Sequence, residues 1–155
     1  LHAALDRQHP RDLYDVKLLY ENEGLTDALF RTFLVYVASS GRPPHELLDP
    51  NLNDLDLPYA REFEGMTAKE VPLADLVATR DQLIADIQAR LDERAKTFLL
   101  SLHDGAPNFD AINYPDAANL PAVKWKLINL EKLQAANPAK HQTLRQEIQA
   151  LFEAE

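Results

Sequence analysis

The chain has 155 residues, 46% of them hydrophobic, which is enough for one domain with a buried core. It has no cysteine, which excludes disulfides and thiolate metal sites and is typical of a reducing, cytoplasmic setting. Its net charge of −9 argues against nonspecific nucleic-acid binding by the domain as a whole, and no apolar run approaches the roughly 18 residues of a membrane span.

The first part of the chain is predicted to be helical. Residues 1–5, "LHAAL", are typical of the last turn of a helix that begins upstream. A second helix is predicted over 10–22, because a proline suits its first turn and a glycine follows its end. A third helix is predicted to begin at Thr26 or Asp27, either of which can cap it, and to end within 39–42. Its core face is predicted to consist of Leu29, Phe33, Tyr36 and Val37.

The middle of the chain combines a proline-rich loop with a long helical pattern. Residues 41–58 contain four prolines, which predicts a loop with short helical turns. Residues 59–72 fit either a short helix or an extended edge. From Pro72 onward apolar residues recur every ~3.6 positions, which predicts one long helix or two helices separated by a kink near Leu91. In the second case Asp92 is the expected cap of the later helix.

The last part of the chain is predicted to form a helical hairpin. A second loop over 104–121 precedes two helical segments, 122–137 and 138–155, which an Asn-Pro step joins. Such a short connection favours an antiparallel pair. No convincing strand pair is present, so the predicted fold class is all-α, a bundle of about six to eight helices that forms a single domain over 1–155.

Two carboxylates lie three residues apart near the start of the second helix. Asp12 and Asp15 share one face, since three residues rotate the helix by about 300°. The apolar stripe of this helix consists of Leu13, Val16 and Tyr20. The carboxylates are expected about 60–100° away from it and exposed. They can simply stabilise the helix start, at roughly 0.3–1 kcal/mol each, with Arg11 paired to Asp15. Alternatively, they bind a divalent cation, or a cationic or hydroxyl group of a partner.

One aromatic–basic cluster, Lys124, Trp125 and Lys126, lies near the start of the first closing helix. A tryptophan between lysines can stack on a nucleobase. It can equally be a core or rim residue whose lysine neighbours extend to solvent. Positive residues continue through Arg145, with Glu131 as the main opposing group. This segment is therefore either an RNA-facing strip or a surface that docks an acidic part of the protein.

Other candidate motifs lack the residues that their chemistry needs. Asp54 and Asp56 form an Asp-x-Asp pair, but they follow a proline-rich loop, and no Gly-Ser dipeptide occurs anywhere in the chain. "HELLD" at His45 lacks the second histidine of a zinc-protease helix. The five histidines are scattered along the sequence, so no metal site is predicted from them.

Several segments together resemble a known family. "AALDRQHPRDLYDVKLL", "ENEGLTDALFRTFLVYVASSGRPPHELLDPN", "EFEGMT", "FLLSLHDGAPNF" and "LPAVKWKL" are similar to the C-terminal half of the AbiEii/AbiGii nucleotidyltransferase toxins. The resemblance covers nearly the whole chain. It implies a two-part enzyme, of which this chain is the helical C-terminal domain. An N-terminal polymerase-β-like domain would carry a Gly-Ser motif and an Asp-x-Asp pair that binds Mg²⁺ and the phosphates of an NTP.

The same resemblance implies roles for residues of this chain. The helical part of the family closes the cleft and contributes a lysine and an aspartate. The lysine is expected just upstream of Leu1. The catalytic aspartate would be Asp12 or Asp15, and Asp12 is favoured because it directly follows Arg11 in the "RD" signature. The candidate substrate-binding residues are Arg11, Lys124, Trp125 and Lys126.

The activity that the resemblance implies belongs to the intact protein, which would transfer nucleotides from an NTP to RNA, with tRNA as the expected acceptor. The chain alone is expected to be inactive and to hold neither Mg²⁺ nor NTP. Its expected partners are the N-terminal catalytic domain, tRNA and a cognate antitoxin. The alternative is a non-enzymatic helical module that docks a protein through the Trp125 helix or the Asp12 face.

Overall fold

The computed structural model describes residues 1–153, and within this range the chain is all-α, with no strand. The nine α-helices of that range are α1 His2–Asp6, α2 Pro10–Asn22, α3 Asp27–Ser39, α4 Pro44–Leu48, α5 Asp56–Glu62, α6 Leu73–Ala89, α7 Glu93–His103, α8 Pro121–Ala136 and α9 Pro138–Ala150. Two 3₁₀ helices, Phe109–Ile112 and Pro115–Asn119, lie between α7 and α8.

The predicted fold class is confirmed, and the helices exceed the expected six to eight because three of them are only five to seven residues long. The last predicted helix, over 138–155, ends at Ala150, and its final two residues lie outside the described part of the chain. None of the helices in residues 1–153 is long and apolar enough to cross a membrane.

Helix starts follow the capping residues of the sequence. The Thr26 hydroxyl accepts a hydrogen bond from the Leu29 N–H at 3.1 Å and begins α3. The Asp92 carboxylate accepts from the Ala95 N–H at 2.8 Å and begins α7. Of the two predicted alternatives, the second is confirmed, because two helices form and separate at residues 90–92. Asp92 also pairs with the two terminal nitrogens of Arg31, at 3.0 and 2.5 Å, and so ties α7 to α3.

The ambiguous stretch 59–72 is helical only in its first residues. α5 ends at Glu62, and Gly65 follows with a φ of +76°, which a residue with a Cβ adopts only at a cost. Phe63 is buried and its ring lies 5.6 Å from that of Tyr14 on α2. The short helix α5 and the residue that follows it therefore pack against α2.

The core is formed by leucine, isoleucine and phenylalanine side chains from most of the helices. Fully buried examples are Phe30, Leu34, Leu47, Leu83, Ile87, Phe98 and Leu102. Tyr36, predicted on the core face of α3, is 60% exposed, so that prediction is wrong. The buried stripe of α3 is centred on Phe30 and Leu34, and a residue two positions after Leu34 lies about 200° away from it.

Two buried histidines join α7 to α9. The Nε2 of His103 donates to the carbonyl of His141 at 2.8 Å, and the Nε2 of His141 donates to the carbonyl of His103 at 3.2 Å. The ring centroids are 4.1 Å apart. Beside them, Arg145 of α9 makes a two-point ion pair with Asp104, at 2.8 and 2.9 Å.

This joint is expected to weaken in acid. Burial lowers the pKa of His103 below its ordinary value of 6.5, and Arg145 acts in the same direction, whereas Asp104 opposes the shift. Below pH 6.5 the unfolded chain binds a proton that the folded chain does not, so the free energy of unfolding falls as pH falls. Urea unfolding between about pH 7.5 and about pH 5.5 should show a smaller decrease for His103→Gln than for the wild type. If the free energies of unfolding of the variant and the wild type fell equally with pH, His103 would not be the origin of the acid sensitivity.

Candidate functional site

The start of α2 is held by contacts to α5. His9 precedes the helix, and its side chain accepts a hydrogen bond from the Arg11 N–H at 3.2 Å. The other ring nitrogen of His9 lies 2.9 Å from the Glu62 carboxylate. The Arg11 guanidinium donates to the Glu62 carbonyl oxygen at 3.2 and 3.3 Å. The predicted Arg11–Asp15 ion pair is therefore wrong, because Arg11 caps the end of α5 instead.

Asp12 is more buried than its spacing predicts, with only 16% of its side chain exposed. The expectation of an exposed carboxylate is wrong at this position. Asp12 lies four residues before Val16, which puts the two only about 40° apart on the helix. One carboxylate oxygen, Oδ1, accepts from the Arg7 guanidinium at 2.7 Å. The other, Oδ2, is buried and has no hydrogen-bond partner among the described residues.

Asp15 differs from Asp12 in that it is exposed, as predicted, and it makes no ion pair within residues 1–153. The two carboxylates of α2 therefore differ both in burial and in pairing.

The turn that leads into this region depends on Gln8, which the sequence does not single out. Gln8 is a buried, non-glycine residue with a φ of +52°. Its side-chain nitrogen donates to the Asn51 carbonyl at 2.6 Å, and its oxygen accepts from the Asn53 N–H at 2.9 Å and from Arg80 at 3.3 Å. Arg80 also donates to the Asn53 carbonyl at 2.7 Å. Gln8 thus joins the start of α2 to α6 and to the loop before α5.

Lys126 does not lie on the surface where the sequence interpretation placed it. It is 5% exposed, and its Nζ donates to the carbonyls of Ser40 and Arg42 at 2.7 and 2.8 Å, beside that of Val37 at 3.4 Å. A cation at the C-terminal end of α3 complements the helix dipole. Its assignment as a substrate-binding residue stays a prediction, and in this structure the ammonium group is buried against these carbonyls.

Lys126 is expected to stabilise the fold. Replacement by methionine leaves the carbonyls at the end of α3 without this donor, which should lower the free energy of unfolding by about 1–3 kcal/mol at neutral pH. Burial lowers the pKa of Lys126 to about 8 from its ordinary 10.5. Within that pH window the unfolded chain retains a proton that the folded chain releases, so wild-type stability should rise with pH. Urea unfolding of Lys126→Met should show a smaller rise in the free energy of unfolding with pH. A rise equal to that of the wild type would contradict the stabilising role of Lys126.

Lys124 and Trp125, which directly precede Lys126 on α8, are exposed, Trp125 to 58%. The outward face of α8 also presents Ile128, at 49% exposure. α8 packs mainly on α3 and α9, whereas α2 packs mainly on α6 and α1. The candidate residues therefore form two separate regions, the Asp12 region on α2 and the Trp125 region on α8.

The carboxylates of the described residues do not by themselves form a metal site. No group of three or more His, Asp or Glu side chains within 1–153 has the geometry to hold a metal ion. The Asp-x-Asp pair at Asp54 and Asp56 has a local structural role, because the Asp54 carboxylate accepts from the Asp56 N–H at 2.9 Å at the start of α5.

Comparison with known protein families gives a match over most of the chain. Residues 1–129 match the family described as nucleotidyl transferase AbiEii toxin, Type IV TA system. The match includes the Asp12 region and Trp125, and it ends within α8, so that α9 lies beyond it. No curated protein and no solved structure matches the chain. The family match confirms the resemblance found in the sequence motifs, and the chain belongs to the AbiEii nucleotidyl transferase toxin family.

Proposed function

We propose that this chain is the helical C-terminal part of a two-part nucleotidyltransferase toxin that transfers nucleotides from an NTP to RNA, with tRNA as the acceptor, in the cytoplasm. An upstream polymerase-β-like domain would hold the NTP and Mg²⁺. The family match supports the reaction class. This sequence contains no Gly-Ser dipeptide. Its absence supports a two-part enzyme, because the nucleotide-binding motif of such enzymes would then lie in another segment.

The observation that carries the proposal is the environment of Asp12. Its Oδ1 is held by Arg7, while its buried Oδ2 has no partner in the described part of the chain. Buried polar atoms without a partner are rare in folded proteins and call for an explanation. A hydroxyl or cationic group of the bound substrates would supply the missing hydrogen bond. Asp12 is then the catalytic aspartate, and the nearby Asp15 is the alternative.

The remaining candidates act in binding. Arg11 directly precedes Asp12, is exposed, and carries a positive charge that could contact a phosphate of the substrates. Lys124 and Trp125 lie on a different face and would contact the RNA acceptor away from the reacting end. Nucleotidyl transfer depends on positioning and on neutralising phosphate charge, so residues of this type contribute without bonding to the reacting atoms.

A transfer assay tests the proposal. Labelled NTPs and bulk tRNA are incubated with Mg²⁺ and either the product of the complete open reading frame or the chain of residues 1–155. Label should enter RNA only with the complete protein. Transfer by residues 1–155 alone would overturn the two-part assignment. No transfer by the complete protein, with any of the four NTPs, would overturn the proposed reaction.

The second candidate function is a protein-interaction module without catalysis. It is favoured by Trp125 and Ile128, two large apolar side chains exposed on one helix. The family also implies an antitoxin partner. A complete open reading frame with no Gly-Ser and Asp-x-Asp motifs upstream of Leu1 would favour this candidate over the enzyme.

A further inference from the structure

A groove with an aromatic wall runs between α8, α9 and the Gly41–Pro44 loop, and its volume is about 410 Å³. Its lining includes Trp125, Pro43, Leu133 and Lys140, with Lys126 on the buried side. This size falls within the range of sites that hold one small planar ligand. We call it the Trp125 groove.

Trp125 is the only tryptophan of the chain, and more than half of it is exposed. Its indole lies over the backbone of Gly41, where a Cβ would approach the ring to 3.8 Å. This is an ordinary van der Waals distance, so the loop lies against one part of the ring while the rest stays open to solvent. An exposed aromatic ring of this kind is a stacking surface for a nucleobase.

The charge around the groove complements a polyanion. Residues 120–145 carry five Lys or Arg side chains and one Glu, although the whole chain has a net charge of −9. Of these five, Lys126 is buried and Arg145 is paired with Asp104, which leaves three lysines. Lys124, Lys132 and Lys140 are exposed and make no ion pair within the described residues. On the opposite wall of the groove, Arg42 pairs with both Glu46, at 3.3 Å, and Asp6, at 2.9 Å, so one negative charge remains there against the three lysines.

Resting on the proposed function, we infer that the Trp125 groove binds an unpaired nucleotide of the RNA acceptor, with the base stacked on Trp125 and the adjoining phosphates on Lys124 and Lys140. Stacking on one exposed ring accepts any base, and separated lysines follow a phosphate backbone. One wall of the groove, α9, lies beyond the family-matched residues 1–129. The groove is therefore a feature of this chain that the family match does not assign.

The single tryptophan makes the inference directly testable with residues 1–155. Titration with a single-stranded oligoribonucleotide of about eight nucleotides should quench Trp125 fluorescence in a saturable way, and more weakly at higher salt. Lys140→Ala and Lys124→Ala should each reduce the slope of log K against log salt by roughly 0.7. Lys69→Ala, at an exposed lysine in another part of the chain, is the matched control and should leave the slope unchanged.

The Trp125→Ala variant has no tryptophan, so its binding is followed with a labelled oligonucleotide instead. The affinity of this variant for the oligonucleotide should fall about 5- to 150-fold, while the circular dichroism spectrum of the variant is retained. The inference is overturned if quenching is absent, if Lys140→Ala behaves like Lys69→Ala, or if polyglutamate quenches Trp125 as strongly as RNA does, since an acidic protein would then be the better partner. If the Trp125→Ala variant of the complete protein transfers nucleotides with an unchanged KM for RNA, only the inference about the groove is overturned. A complete protein without transfer, whose groove still binds RNA, overturns only the proposed function.

Discussion

Replacement of Asp12 by asparagine is expected to lower nucleotidyl transfer by the complete protein at least about 10²-fold, as is typical for loss of a positioned charged group. Asparagine keeps the shape of the side chain and can still accept from Arg7, but it lacks the negative charge that Oδ2 would present to the substrates. The Arg7–Asp12 pair involves an arginine side chain that is 65% exposed, so its loss should change stability by only about 0–1 kcal/mol.

The controls separate a catalytic from a structural role for Asp12. Thermal melting of the variant chain should show little change, while transfer by the variant complete protein should be lost. Asp15→Asn is the matched substitution, because Asp15 lies on the same helix with an exposed carboxylate. If Asp12→Asn transfers at the wild-type rate, Asp12 is only a charge that stabilises the helix start. If Asp15→Asn alone abolishes transfer, the catalytic assignment moves to Asp15.

Gln8→Leu is expected to destabilise the chain by about 3 kcal/mol, the largest stability effect that we predict. The substitution leaves the Asn51 carbonyl, the Asn53 N–H and one donor of Arg80 without their partner, and unsatisfied buried groups cost about 1–3 kcal/mol each. Leucine has nearly the same size as glutamine. It would also have to adopt the same positive φ at this position. The change in stability is therefore due to the lost hydrogen bonds.

Urea unfolding of the variant chain measures this effect. Gln142→Leu, at an exposed glutamine on α9, is the control and should remain within about 0.5 kcal/mol of the wild type. A Gln8→Leu chain that is as stable as Gln142→Leu would show that solvent replaces the lost contacts and that Gln8 does not hold the turn.

The sequence predicts those features that depend on neighbouring residues. Thr26 and Asp92 begin helices because each side chain accepts from a backbone N–H three residues later. The apolar stripes of α2 and α6 follow from a spacing of about 3.6 residues. The all-α class and the break between α6 and α7 also depend on neighbouring residues, so they could be predicted from the sequence.

The details of the Asp12 region depend on contacts that the sequence does not reveal. Arg7 and Asp12 are five residues apart across a helix break, so no helical spacing relates them. Gln8 adopts a left-handed conformation and binds groups more than 40 residues away. Arg11 turns toward Glu62, which removes the pair with Asp15 that their i,i+4 spacing on α2 would favour.

The burial of Lys126 was partly predictable. It follows Val123 by three residues on α8, and that spacing puts it on the buried side of the helix. The carbonyls that hold its ammonium group belong to the end of α3, more than 80 residues earlier, and no local pattern indicates them. The adjacent Lys124 and Trp125 are exposed instead, which leaves both available for an acceptor.

The most direct test of the central proposal, that this helical chain completes a nucleotidyltransferase, compares two forms of one protein. The rate of label transfer from NTP to tRNA is measured for the complete protein and for a form that ends just before Leu1. We predict that removal of residues 1–155 lowers the rate at least about 10²-fold while NTP binding persists, because the NTP-binding motif would remain and the Asp12 region would be lost. Transfer at an undiminished rate without these residues would contradict the account.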